Sequence, residues 1–134
     1  MEKFNWISVA LAAVGTFFNY IFGGWDISLA VLVAFIILDY LTGILTAIVN
    51  KSLSSDIGAR GIAKKALIFV VLIVAVLLDR LLNNGEWIFR TLVCYFYIAN
   101  EGISLIENAA NLGLPIPKKL RDVLYQVKND NGQK

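Results

Sequence analysis

The 134 residues are 58% hydrophobic and only 16% charged, with a mean hydropathy of +0.71, far above a soluble domain of this size. A net charge of +2 offers no basic nucleic-acid face, and the absence of histidine removes the imidazole base and any His-based metal site. The chain therefore reads as an all-α integral membrane bundle in a single domain, residues 1–134, with no length left for a separate soluble enzyme. Cys94 is the lone cysteine; inside an apolar helix it reads as a small hydrophobe rather than as half of a disulfide or metal site.

The first predicted span covers residues 4–22 and ends at Gly23-Gly24. Ala10-Leu11-Ala12 has the look of a cleavage site, but the apolar run before it is too short for a signal peptide, so the segment is expected to remain. Asn5, Ser8, Ala12, Gly15, Thr16, Asn19 and Gly23 share about a third of the helix circumference and form a small, weakly polar face suited to close packing.

The second span, residues 27–49, has Asp39 near its middle. Ser28, Asp39, Thr42, Gly43, Thr46 and Asn50 fall on one face, with Asp39, Thr42, Gly43 and Thr46 as the candidate helix-packing set. A mid-span aspartate is either a functional group or a packing carboxylate held by hydroxyls.

Next comes a polar connection, NKSLSSDIGARGIAKK, whose Lys51, Arg60, Lys64 and Lys65 outweigh Asp56 and predict a cytoplasmic basic loop. Ser55 or Asp56 is expected to cap the helix that follows. GARGIAKK lacks the spacing of a phosphate-binding loop and follows no strand, so no nucleotide site is expected.

The third span, residues 62–82, is apolar all round and is expected at the lipid boundary. A short turn with Asp79, Arg80 and NNGE leads to Trp87, a candidate interfacial anchor. The fourth span, residues 87–112, is different: Asn100, Glu101, Ser104, Glu107, Asn108 and Asn111 gather on one side, with Arg90 and Tyr97 beside them. Carboxylates in a span cost about 2.5 to 3.5 kcal/mol each and normally face a bundle interior or water. These six are the candidates for pore lining or assembly, unless this half of the helix leaves the bilayer as a cytoplasmic amphipathic helix.

Gly113, Pro115 and Pro117 stop the fourth helix. Residues 117–128 then place Lys118, Lys119, Arg121 and Lys128 beside Leu120, Val123, Leu124 and Val127, predicting a short amphipathic helix on an anionic cytoplasmic leaflet. The final NDNGQK is expected to fray. Basic residues concentrate in the second connection and the tail, so four spans place both termini in the cytoplasm.

In order, D-Y-x-T-G at Asp39, Tyr40, Thr42 and Gly43, then Ser54, Ser55, Gly58, Gly61, Lys64 and Lys65, then an apolar span follow one another. Asn100, Glu101, Ser104, Glu107, Asn108, Gly113, Pro115 and Pro117 complete a pattern that resembles the bacteriophage holin family, which includes clostridial toxin-secretion holins. The resemblance runs from about Ile27 to Leu124. It implies a phage or prophage protein of the host bacterial cytoplasmic membrane that forms homo-oligomers in the lipid bilayer and opens holes for an endolysin or a toxin. It implies no cofactor, no catalytic residue and no nucleic-acid partner. A small multidrug-type transporter would resemble a pattern with a glutamate in the first span, which has none after Glu2. A non-lytic structural membrane subunit, with Asp39 and the fourth-span stripe as interhelical glue, is the other alternative.

Overall fold

A computed structural model describes residues 3–132, which form five helices and no strand among the described residues. They are α1 (Trp6–Phe22), α2 (Ile27–Val49), α3 (Ser55–Leu82), α4 (Phe89–Asn111) and α5 (Lys118–Gly132). Two of them, α2 and α3, are long and apolar enough to cross a membrane; α1 is apolar but has only 17 residues.

Local chemistry explains the boundaries. Asn5 caps α1 by accepting from the amides of Ile7 and Ser8, and Gly23, at φ +76°, closes its other end. Asp26 caps α2 by accepting from Leu29 N–H at 2.9 Å. Ser54, one residue before the expected caps, accepts from Ile57 N–H at 3.2 Å and starts α3.

That start overturns the expected loop. Only the segment around Lys51 connects the helices; Arg60, Lys64 and Lys65 stand in α3, which begins seven residues before the expected residue 62. Gly58 and Gly61 do not bend the chain. They let Tyr40 of α2 lie against α3, where a Cβ on Gly61 would come 3.2 Å from the Tyr40 ring.

The core is formed by Leu29, Leu32 and Ile36 of α2, Ile68, Leu72 and Val76 of α3, and Cys94 of α4. The third predicted span does not have equivalent sides: Ile68, Leu72, Ala75, Val76 and Asp79 are buried along one stripe, while Leu67, Val70, Val74 and Leu77 are exposed. Cys94 is fully buried, as its small apolar character requires.

By contrast, α1 has no buried residue, and its small face from Asn5 to Asn19 is exposed: a Cβ on Gly15 would meet nothing within 4 Å. It is held at its C-terminal end, where Phe22 meets Phe69 edge-on and Arg80 donates to Tyr20 O at 2.8 Å. The tail helix runs to Gly132, past the expected residue 128. Gln133 and Lys134, the last of the expected frayed residues, lie outside the described residues.

Candidate functional site

α2 and α4 lie side by side in parallel, with Arg90 beside Asp26 at one end and Asn108 beside Asp39 further along. α3 runs the other way and inserts Lys65 between them. Its ammonium donates to Asp39 Oδ2 and to Glu101 Oε2, so one cation from the expected loop bridges two carboxylates on different helices.

Both carboxylates are buried, Glu101 at 3% exposure and Asp39 at 6%. Asn108 Nδ2 adds donations to Asp39 Oδ1 and Thr42 Oγ1, each at 3.1 Å. Asp39 thus has two partners beyond its own helix, whereas Glu101 relies on Lys65.

Lys65 stands ten residues after Ser55 and Asp39 ten residues before Val49. At 1.5 Å per residue this is about 15 Å from the shared end of α2 and α3. A recess of about 480 Å³ opens beside the cluster, lined by Asp39, Lys64, Lys65, Asn100, Glu101 and Ser104 among others. Two carboxylates and one ammonium leave one formal negative charge in the cluster, a load that low-dielectric surroundings tolerate only with complete hydrogen bonding.

The fourth-helix candidates divide. Glu101, Ser104 and Asn108 turn toward α2 and α3, and Asn100 lines the recess. Glu107 and Asn111 are exposed, Glu107 accepting from Tyr125 O–H of α5 at 3.1 Å. Of the helix-packing candidates on α2, Asp39 and Thr42 bond Asn108, and Gly43 faces it, a Cβ there reaching only ordinary contact at 3.7 Å from Asn108 Nδ2. Thr46 bonds its own helix, at Thr42 O. Lys51 and Arg60 are exposed near the shared end of α2 and α3, and Lys64 is exposed further along α3, beside Lys65.

The opposite end is closed by a second network. Arg90, 2% exposed, donates to Phe22 O at 2.6 Å, Gly24 O at 2.9 Å and the Asp26 carboxylate at 2.8 and 3.2 Å. Gly23 makes space for it, because a Cβ there would lie 2.8 Å from Arg90 Nε. The Arg90 hydrogen bonds hold the Asp26 carboxyl below the ordinary carboxylate range. The resulting stability is present above that range and is lost as pH falls through the lowered value.

Asp79, fully buried, accepts from Phe89 N–H at 2.9 Å and Arg90 N–H at 2.8 Å. α4 has no cap of its own, since Ile88 precedes it, and α3 supplies the missing acceptor. Neither role for Asp79 or Arg90 follows from their places near span ends. A usable signal is Asp79 itself, a carboxylate in register with Ile68, Leu72 and Val76.

The class is that of a small all-α protein with two helices long and apolar enough to cross a membrane and with ion pairs held between its helices. Residues 16–129 match the bacteriophage holin family, and the chain belongs to that family, a non-enzymatic one.

It is 58% identical over 125 residues to a 14.9 kDa protein from the nagH 3′ region of Clostridium perfringens, covering 93% of this chain and 95% of that one. A Clostridium acetobutylicum protein is 49% identical, covering 92% of this chain and 98% of its own. A protein of Bacillus phage phi105 described as a probable holin is 41% identical over 99 residues, 73% of this chain and 72% of its own. No solved structure matches the chain.

Proposed function

We propose that the protein is a phage or prophage holin that accumulates in the host cytoplasmic membrane as a closed bundle, then oligomerises and opens lesions that release an endolysin or a toxin. The observation that carries this reading is the polar stripe of α4, folded inward onto Asp39 and Lys65. A subunit of a large hole needs a polar surface that lipid does not meet before assembly. Glu101, Ser104 and Asn108 have such a surface ready and paired; on association they exchange these partners for water, joined by Asn100, Glu107 and Asn111. Asp39, Thr42, Gly43 and Thr46 serve the packing of the closed state.

In this reading α1 to α4 span the bilayer in one domain. Lys51, Arg60 and Lys64 lie on the cytoplasmic side with both termini, and Asp26 and Glu86 in the short outer turns. Thiol labelling tests the arrangement. With Cys94 replaced by alanine, a cysteine at Asn84 is expected to react with an impermeant reagent in intact cells and one at Ser54 to resist it; reaction at Ser54 would invert the topology.

The activity is tested by induction in a bacterial host. Growth and membrane potential are expected to collapse abruptly, and a co-expressed endolysin to be released without any dependence on nucleotide or metal. Sustained growth at high expression with the potential intact would favour a non-lytic structural subunit.

A further inference from the structure

The ion cluster between α2, α3 and α4 lacks one positive charge. Asp39 and Glu101 share the single ammonium of Lys65, and Asn108 donates to Asp39 and Thr42. Glu101 Oε1 is left without a hydrogen-bond partner among the described residues, although its side chain is only 4% exposed. Glu101 borders the recess of about 480 Å³. A buried carboxylate oxygen beside a recess is satisfied by a cation that also donates hydrogen bonds.

The other walls narrow the choice of cation. Lys64 lines the same recess and is exposed, so a bare metal ion or a simple amine meets a like charge as it enters. A ligand that carries an anion close to its ammonium meets an opposite charge at each place. Asn100 and Ser104 add neutral polar groups, and Leu67 and Val71 continue the wall as an apolar strip on which a hydrocarbon chain can lie.

Depth favours the same ligand. The exposed apolar surface of α3 runs from Leu82 back to Leu67 and ends at Lys64. Leu82 stands 18 residues after Lys64, a rise of about 27 Å, against a hydrocarbon core of about 30 Å. With Leu82 at one face of that core, Lys64 lies close to the other, where a long lysine side chain reaches the headgroups.

We propose that this recess binds one phospholipid whose headgroup carries a primary ammonium beside its phosphate. The ammonium bonds Glu101, the phosphate meets Lys64, and an acyl chain follows Leu67 and Val71. The proposal rests on the reading of a closed membrane bundle that later opens, and deepens it: Glu101 meets a headgroup rather than hydrocarbon, and the lipid completes the charge balance of the closed state.

Native mass spectrometry of the full chain in dodecyl maltoside, with phosphatidylethanolamine, phosphatidylcholine or phosphatidylglycerol added, counts the lipids on each protomer. One phosphatidylethanolamine per chain is expected. It is held at least about tenfold more tightly than phosphatidylcholine, whose methylated nitrogen has no N–H to donate, or phosphatidylglycerol, which brings no cation. Soluble phosphoethanolamine is expected to compete only weakly; affinity equal to that of the lipid would overturn the assignment to a lipid. Glu101→Gln, which leaves Asp39 and Lys65 as a balanced pair, lowers the affinity about tenfold to a hundredfold, and the exposed Lys64→Gln about two- to fivefold.

Equal retention of the three lipids, or full affinity in Glu101→Gln, would overturn the proposal. So would dimers that Glu101→Gln dissolves, since a neighbour's lysine would then fill the recess. Binding is read without lysis. A chain that holds the lipid selectively but never lyses its host keeps the site and loses the hole-forming reading, whereas lysis without selective binding loses the site alone.

Discussion

Lys65→Met is expected to abolish accumulation of the folded protein. It leaves Asp39 and Glu101 buried, adjacent and without the ammonium that bridges them. Removing one partner of a buried ion pair costs about 3 to 5 kcal/mol, a large share of a total stability of about 5 to 15 kcal/mol. Adding Asp39→Asn and Glu101→Gln removes both stranded charges, so the triple variant is expected to regain most of the lost melting temperature in detergent. A single Lys65→Met protein that accumulates and melts like the parent would show that the cluster does not hold the helices together.

Glu101→Leu combined with Glu107→Leu is expected to give the opposite result: a stable protein that does not lyse its host. Lys65 and Asp39 remain as a balanced pair after the first change, and the second falls on an exposed position whose partner is Tyr125. Folding therefore survives. What disappears is the gain from turning carboxylates toward water, so the packed state is favoured and conductance and lysis are lost or greatly delayed. Glu107→Gln, which keeps polarity, is expected to shift lysis timing or ion selectivity only. Unchanged timing and conductance in the double leucine variant would remove these residues from the wall of the hole.

α2 is legible in the sequence because its local signals agree: a long apolar run fills it, and Asp39 marks its polar face. The start of α3 is not. Gly58, Gly61 and the cations Arg60, Lys64 and Lys65 carry the marks of a loop, and the physical reason for the glycines, contact with Tyr40, exists only once α2 and α3 meet. Lys65 is hidden for the same cause, since a basic residue beside a span ordinarily seeks water. Its position three residues before Ile68 and seven before Leu72 places it on the buried stripe, but the stripe is invisible in a segment apolar on all sides.

The polar side of α4 is visible from spacing alone, yet its division between inward Glu101 and Asn108 and outward Glu107 is set by where α2 and α5 lie. The exposed small face of α1 shows the converse: periodicity marks a surface fit for packing without saying whether its own chain fills it.

The Arg90 clasp also orders events during synthesis. Arg90 comes 64 residues after Asp26, and at translation rates of about 5 to 20 residues per second the interval is several seconds. Throughout it, the carbonyls of Phe22 and Gly24 and the Asp26 carboxylate wait without the guanidinium that later seals them. Closure of the bundle belongs to the arrival of α4. A nascent chain interrupted before that point is left with an open seam at the α1–α2 turn, one that the Arg90 of a finished neighbour has the chemistry to fill.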